Sequence, residues 1–251
     1  MAQTFCFINA KGRLGGQPDI IWNENKENKK VVSNFSIACS SYRKKEGAWV
    51  EQTNWIKCTA YGKIAAEELS TATGKDLITV NGLLSKHIYT KEGQEVVNFA
   101  VKSAKVSVDK SPESGKTSCT AYGCFRVGRN PEYKVLADRD PVLELVNFNT
   151  VYNTYKKEPG SGGEWDQESH WFKCVNFGVQ ASTIADTLKG GDLVFIQGDL
   201  SREIYNKDGL DRTNFTINVD HAKVLLSKSW TNKQDSDQIA GNADDTEEYP
   251  F

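Results

Sequence analysis

An internal repeat is the feature that most limits what this chain can fold into. Residues 49–99 align without a gap to residues 165–215, and 19 of the 51 aligned pairs are identical. Upstream of residue 49 the offset between the copies falls from 116 to 113 residues, which places three extra residues in one loop at 157–163. A repeat of this length that occurs twice indicates two copies of one domain rather than a solenoid of small units. With 251 residues, the chain is long enough for each copy to bury a core.

Each copy is predicted to consist mainly of strands. Short runs rich in β-branched and aromatic residues, bounded by glycine, asparagine and charged turns, are typical of strands. One helix is also predicted in each copy, closed by Gly74 or Gly190 in the position that caps a helix C-terminus. The predicted strands of the first copy, all repeated in the second, are residues 32–38, 54–61, 77–84 and 96–101, and the predicted helices are residues 64–72 and 181–189.

The order of these elements favours one small fold. Glu92-Gly93 and Asp208-Gly209 predict a hairpin turn in each copy, because the glycine supplies a positive φ. Four or five strands with one helix after the third, in about 105 residues, are typical of a five-stranded Greek-key barrel of the OB type. The predicted fold class is therefore all-β, with one short helix per domain and two tandem OB-fold barrels.

Composition shifts along the chain predict the domain boundaries. A polar segment with Pro and Gly and no periodicity is expected to be a linker. From Ser227 onward hydrophobic periodicity disappears, and residues 227–251 carry a net charge of −4 whereas the rest of the chain carries +2. The predicted organisation is OB domain 1 at 1–108, a linker at 109–118, OB domain 2 at 119–226 and a disordered acidic tail at 227–251.

Several kinds of protein are not expected from this sequence. No apolar run approaches the ~18 residues of a membrane span, and residues 1–4 lack the basic start of a secretory signal, so a cytoplasmic protein is expected. The six cysteines form no CxxC pair, and the three histidines lie far from any zinc-finger spacing. We therefore expect no metal and no cofactor, and we expect the cysteines to pack as small hydrophobic residues.

One predicted strand in each copy separates an aromatic face from an aliphatic one. Successive side chains of a strand point to opposite faces. The small or aliphatic set suits a barrel interior, which leaves the aromatic set, with its lysine, on the outside. The predicted outward residues are Trp55, Lys57, Thr59 and Tyr61 in the first copy and Trp171, Lys173, Val175 and Phe177 in the second.

Exposed aromatic rings interleaved with cations favour binding to single-stranded nucleic acid. Every base has a flat face that stacks on a ring regardless of sequence, while lysine and arginine neutralise the adjacent phosphates. The alternative is that these rings pack under a loop or at a subunit interface. That the same face occurs in both copies favours the nucleic-acid interpretation, because two unrelated packing requirements would otherwise have to coincide.

Four segments of the first copy and two of the second resemble the bacterial single-stranded DNA-binding protein (SSB) family in order and spacing. The resemblance covers nearly all of residues 1–226 and implies an OB fold that binds single-stranded DNA. The segments are Gly12-Arg13-Leu14-Gly15-Gly16-Gln17-Pro18, Asn34-Phe35-Ser36-Ile37-Ala38, Glu51-Gln52-Thr53-Asn54-Trp55, Tyr61-Gly62-Lys63 and, in the second copy, Arg126-Val127-Gly128-Arg129-Asn130-Pro131-Glu132 and Trp171 to Gly178.

The resemblance also implies which residues contact DNA. Trp49 and Trp165 lie in the hairpin between the second and third strands, where they either stack on DNA or cover the barrel. The implied stacking residues are Tyr42, Trp49, Trp55, Tyr61, Tyr89, Tyr155, Trp165, Trp171, Phe177 and Tyr205. The candidate phosphate contacts are Arg43, Lys44, Lys57, Lys63, Lys86, Lys156, Lys157, Lys173, Arg202 and Lys207.

Two departures in the second copy predict that its barrel binds less tightly. Glu203 stands where the first copy has His87, which puts a negative charge on the strand that leads to Tyr205. Asn176 is a polar residue on the face predicted to point inward.

The tail is similar to the acidic Pro-Phe ending through which bacterial SSBs engage helicases, nucleases and other repair or replication proteins. Phe251 offers a ring for an apolar pocket, and the acidic side chains steer the tail toward a basic rim. The alternative is a solubilising tail with no specific role. The residues concerned are Asp244, Asp245, Glu247, Glu248, Tyr249, Pro250 and Phe251.

The resulting hypothesis is a non-enzymatic protein of a bacterial cell or nucleoid, encoded by a chromosome, plasmid or phage. It binds and protects single-stranded DNA in replication, recombination and repair, and by resemblance to the two-barrel branch of the family it forms a homodimer with four barrels. No cluster of acidic residues or histidines recurs in both copies, which argues against an enzyme such as a nuclease. A single-stranded RNA chaperone and a protein-binding or sugar-binding OB module stay open as alternatives.

Overall fold

Strands make up most of the part of the chain that the structure describes. The computed structural model describes residues 3–23, 30–45, 48–91, 94–110, 115–137, 141–157, 165–207 and 210–227. The first copy contains β1 (Phe5–Leu14), β2 (Asp19–Asn23), β3 (Lys30–Lys45), β4 (Ala48–Tyr61), α1 (Lys63–Ser70), β5 (Leu77–Lys91) and β6 (Gln94–Asp109). The second contains β7 (Ser118–Val127), β8 (Glu132–Leu136), β9 (Leu143–Lys157), β10 (Trp165–Phe177), α2 (Gln180–Thr187), β11 (Leu193–Lys207) and β12 (Leu210–Leu226).

Five strands close into a barrel in each copy. In the first barrel β1 pairs with β3 and β5, β3 with β4, and β4 and β5 both pair with β6. The β4–β6 pairing is parallel and the others are antiparallel, and the second barrel repeats this pattern strand for strand. A closed five-stranded barrel with a helix after its third strand confirms the predicted OB-type fold. The short strands β2 and β8, which the sequence did not predict, pair along the outer edges of β3 and β9.

The helices differ from the prediction at their ends. Each has eight residues, and neither is long and apolar enough to cross a membrane. The capping role predicted for Gly74 and Gly190 is wrong, because neither glycine has a positive φ and the residues in the C-cap position are Thr71 and Leu188. A positive φ of 93° occurs instead at Gly191.

A buried aspartate closes the loop after each helix. The amide of Thr73 donates to Asp76 Oδ2 at 2.8 Å, and the amide of Lys189 donates to Asp192 Oδ2 at 2.9 Å. Both carboxylates are almost fully buried, and they occupy equivalent positions in the two copies. A side-chain acceptor therefore satisfies the loop amide where a capping glycine was expected.

The two barrels are joined by an antiparallel pairing of β1 with β7. In this register Ile8 lies opposite Ala121, and these two residues are equivalent in the repeat at an offset of 113. Phe5 opposite Cys124 and Lys11 opposite Ser118 lie symmetrically on either side of that pair. The copies are therefore related by an approximate two-fold axis through the junction, and one continuous sheet of strands runs through both barrels.

Candidate nucleic-acid interface

The outer face of β4 carries the aromatic residues that alternation places there. Trp55 and Tyr61 are 47 and 51% exposed, and Lys57 between them is also exposed. The alternate residues Ile56 and Cys58 are buried in the barrel core. β4 therefore presents two flat rings with a cation between them to solvent.

The outer face of β10 repeats this arrangement with one difference. Trp171 and Phe177 are 57 and 53% exposed, and Lys173 is exposed between them. Val175 shares this face by alternation, but it is only 7% exposed. On the inward side, Asn176 is buried and its Nδ2 donates to the carbonyl of Val219 at 2.7 Å.

Trp55 and Trp171 each lie directly on a glycine of the loop that follows the first strand of their barrel. A Cβ on Gly128 would lie 2.7 Å from Cζ3 of Trp171, and a Cβ on Gly15 would overlap the Trp55 ring. The glycines themselves are fixed, because the amide of Gly15 donates to Ser36 O and that of Gly128 donates to Asn149 O, each at 2.8 Å. Each indole therefore packs on glycine backbone while about half of its surface stays open to solvent.

The hairpin between β3 and β4 extends the aromatic face away from the barrel. The pairing continues without a bulge to Lys45 opposite Ala48, and Tyr42 lies on the same face as Trp55. Tyr42 is 66% exposed. In the second copy Tyr155 and Trp165 are exposed on the equivalent hairpin of β9 and β10.

Several predicted site residues lie on described strands, but their own side chains are outside the described part of the structure. These are Arg43, Lys44, Trp49, Lys86, Tyr89, Lys156, Lys157, Arg202, Tyr205 and Lys207. The hairpin turns at 92–93 and 208–209, the loop at 158–164 and the tail residues from 228 onward, including Asp244 to Phe251, also lie outside the described residues.

Among the predicted cations with described side chains, Lys57 and Lys173 lie between the exposed rings of β4 and β10. Lys63 lies instead at the start of α1, where its Nζ is 3.4 Å from Glu67 Oε1. An exposed ion pair of this kind is worth little, so Lys63 is free to exchange it for another anion.

A surface groove of about 480 Å³ lies beside the rings of the first barrel, between the loop after β1 and the outer faces of β3 and β4. Its lining includes the polar residues Gln17, Asn34, Ser36, Lys57 and Thr59 together with the apolar Phe35, Cys58 and Ala100. Asn34 and Thr59 were not predicted as site residues. Their sequence signal was weak, because a polar pair on the outer face of a sheet is usually only solvated.

Cys58 on β4 and Cys174 on β10 have no chemical role in this interface. Burial raises the pKa of the Cys174 thiol to about 12, and burial also raises the pKa of Cys58. Both thiols are therefore neutral and poor nucleophiles at physiological pH. Within the described ranges, no group of three His, Cys, Asp or Glu side chains is arranged to bind a metal ion.

Comparison with known proteins agrees with this geometry. The model of the single-strand binding protein family matches residues 8–109 and again residues 124–225, once for each barrel. The chain belongs to the single-strand binding protein family. A single-stranded DNA-binding protein of Aquifex aeolicus is 29% identical over 104 residues, which are 40% of this chain and 67% of that protein. One of Neisseria meningitidis serogroup A is 28% identical over 101 residues, and the match covers 40% of this chain and 55% of that protein.

Solved structures of this family extend the likeness in fold to both barrels. A deletion mutant of the single-stranded DNA binding protein from Thermus aquaticus matches with a TM-score of 0.60 at 16% identity, over 91% of this chain and 98% of that one. The wild-type Thermus protein matches with a TM-score of 0.59 at 14% identity, over 90% of this chain and 95% of that one. The tandem arrangement of two barrels is therefore shared with another single-strand binding protein.

Proposed function

We propose that this chain binds single-stranded DNA without reading its sequence and protects it during replication, recombination and repair in the bacterial cytoplasm. The observation that best supports the proposal is the row of half-exposed rings with a lysine between them, on β4 and again on β10. Membership of the single-strand binding protein family supports the same function.

The exposed rings and lysines of β4 and β10 are chemically suited to bind an unpaired DNA strand. Bases of a single strand are free to stack on the Trp55 and Trp171 rings, whereas bases of a duplex are already stacked on each other. Lys57 and Lys173 then lie close to the backbone phosphates. Neutralising each phosphate releases counterions, so the affinity is expected to fall as salt rises, with a log–log slope of about −0.7 per phosphate contacted.

A fluorescence titration tests this function. We expect oligo-dT to quench tryptophan fluorescence strongly, and a duplex of equal length to quench it weakly. Trp55→Ala is expected to lose about 1–3 kcal/mol of binding free energy because one stacked base is lost. The loss in Trp171→Ala is expected to be smaller, since Glu203 and the covered Val175 weaken the second face.

Trp22→Ala is the matched control, because Trp22 is also half-exposed but lies on β2, on the opposite face of the sheet from Tyr61. Equal quenching by duplex and single strand would reject the function. A larger loss at Trp171 than at Trp55 would reject the ranking of the barrels, and preferential binding of oligo-U would indicate an RNA chaperone instead.

We further propose that two chains associate to present four barrels, and that the acidic tail recruits partner proteins. The tandem barrels and the resemblance of the Tyr249-Pro250-Phe251 ending to SSB tails support these proposals. A sedimentation mass of a single chain would reject the dimer. A variant without residues 244–251 that retains its full affinity for a replication or repair helicase would reject the role of the tail.

A further inference from the structure

A threonine just before the first strand of each barrel reaches across the junction to the other barrel. Thr117 precedes β7 of the second barrel, yet its Oγ1 accepts a hydrogen bond from the amide of Ser40 on β3 at 2.9 Å. Thr4 precedes β1 of the first barrel, and its Oγ1 accepts a bond from the amide of Asn153 on β9, also at 2.9 Å. Thr4 and Thr117 are equivalent at the repeat offset of 113 residues, and so are Ser40 and Asn153. The same contact is therefore made once in each direction, and we call Thr4 and Thr117 the cross-barrel threonines.

The contact from Thr117 lies where β3 leaves the first barrel. The pairing of β3 with β1 ends at Ala38, whereas its pairing with β4 continues past Ser40 to Lys45. Beyond Ala38, the backbone groups on the β1 side of β3 need another partner. The Thr117 hydroxyl satisfies both groups of Ser40, because it accepts from the amide and donates to the carbonyl, each at 2.9 Å. A side chain of the second barrel thus takes the place of a strand at the base of the first barrel's hairpin.

In the first barrel, the residue that is held in this way is joined to both strands of the aromatic hairpin. Ser40 lies opposite Thr53 of β4, and a hydrogen bond of 3.3 Å links their hydroxyls. Tyr42 follows Ser40 by two residues on β3, and Trp55 follows Thr53 by two on β4. Because side chains two residues apart share a face of a strand, all four lie on the outer face. The contact from Thr117 therefore fixes the hairpin two residues away from Tyr42.

The second barrel repeats this chain of contacts with a different side chain. Ser169 of β10 lies opposite Asn153, and its Oγ donates to Asn153 Oδ1 at 2.9 Å. Tyr155 and Trp171 follow these two residues by two positions each, and both are exposed. The same route leads from each barrel to the hairpin of the other, although serine stands at its centre in one copy and asparagine in the other.

We propose that each cross-barrel threonine positions the stacking residues of the other barrel, with Thr117 holding the hairpin of Tyr42 and Thr4 holding the hairpin of Tyr155. The inference rests on the proposed single-strand function and adds a coupling of the two binding faces through the β1–β7 junction. A hairpin that is fixed at its base loses less conformational entropy when a DNA strand binds to it. Both threonines are positioning residues, because they act through β3 and β9.

Removal of one hydroxyl tests this role in the full chain. Thr117→Val removes the hydroxyl at nearly constant volume and is expected to weaken the binding of oligo-dT by about two- to tenfold, the value of one hydrogen bond. Thr117→Ser keeps the hydroxyl and is expected to retain the wild-type affinity. Fluorescence titration measures the affinity, and circular dichroism verifies that each variant is folded.

A double-mutant cycle separates positioning from a general loss of stability. If Thr117 acts through the first hairpin, Thr117→Val weakens binding less when Tyr42 is already replaced by Ala, because less of the hairpin's contribution is left to lose. In the Tyr155→Ala background the same change keeps its full effect. Thr4→Val is expected to give the mirror image, with a reduced effect in Tyr155→Ala and a full effect in Tyr42→Ala.

Three results would overturn the positioning role. One is an affinity for oligo-dT that is unchanged in both Thr117→Val and Thr4→Val. Another is an equal loss from Thr117→Val in the Tyr42→Ala and Tyr155→Ala backgrounds, and the third is a loss in Thr117→Ser as large as that in Thr117→Val. Failure of the wild-type chain to bind oligo-dT would instead reject the proposed function.

Discussion

At the scale of single residues, the site depends on two glycines as much as on the tryptophans they support. Gly15 and Gly128 each bring backbone against an indole ring, and each is fixed to the adjacent strand by a hydrogen bond of 2.8 Å. An exposed tryptophan loses rotamer freedom when a base stacks on it. An indole that already packs on backbone loses less conformational entropy when a base stacks on it, so these glycines pre-organise the stacking surface.

Replacing Gly15 tests this arrangement with the smallest possible change. Gly15→Ala is expected to push the Trp55 ring away from the loop, because the added methyl group overlaps it, and to lose up to the ~1–3 kcal/mol of one stacked base. Gly16→Ala is the control, since a Cβ at Gly16 meets nothing within 4 Å. The affinity of each variant for oligo-dT measures the effect. Equal losses in the two variants would contradict a supporting role for Gly15.

At the scale of strands, alternation predicted which residues of β4 and β10 face outward, because these strands are half buried and their period of two is regular. The prediction failed for Val175, which is only 7% exposed although Lys173 and Phe177 on the same face are exposed. The burial of one outer-face residue is set by tertiary contacts, which leave no local pattern in the sequence. β2 and β8 were missed because each is a five-residue strand paired only along one edge.

The loops after the helices show another limit of sequence reasoning. Gly74 and Gly190 follow the helices at a plausible distance for a cap, but the loop amides are satisfied by Asp76 and Asp192. An aspartate in a loop is usually solvated, so its burial is not visible in the sequence. The signal that was available is the identity of the two aspartates at the same place in both copies.

At the scale of the whole molecule, the repeat predicted two barrels but not how they meet. The β1–β7 junction joins equivalent strands, yet the side chains on its two sides differ. Tyr152 is fully buried on one side, where it stacks on Phe172. Its equivalent on the other side is Cys39, which lines a cavity of about 230 Å³. Packing at the junction is therefore tighter on the side of Tyr152.

Tyr152 also bonds the second barrel to the first, which makes it the residue through which to test the junction. Its Oη donates to the carbonyl of Leu84 at 2.8 Å, just beyond the last β5 residue that pairs with β1. Tyr152→Phe is expected to lower the free energy of unfolding by about 1–3 kcal/mol, because a buried carbonyl is left without its donor. Tyr152→Ala also removes the ring and is expected to cost about 3–5 kcal/mol.

Urea denaturation followed by circular dichroism measures both losses, with Tyr155→Phe as the control. Tyr155 lies three residues further along β9 and is half-exposed, so removal of its hydroxyl is expected to change the free energy of unfolding by no more than about 0.5 kcal/mol. If the Tyr152 hydroxyl joins the barrels, Tyr152→Phe also lets them unfold less cooperatively, which broadens the transition or splits it in two. Equal and small effects of Tyr152→Phe and Tyr155→Phe, with one sharp transition in each, would mean that the Tyr152 hydroxyl does not help to hold the barrels together.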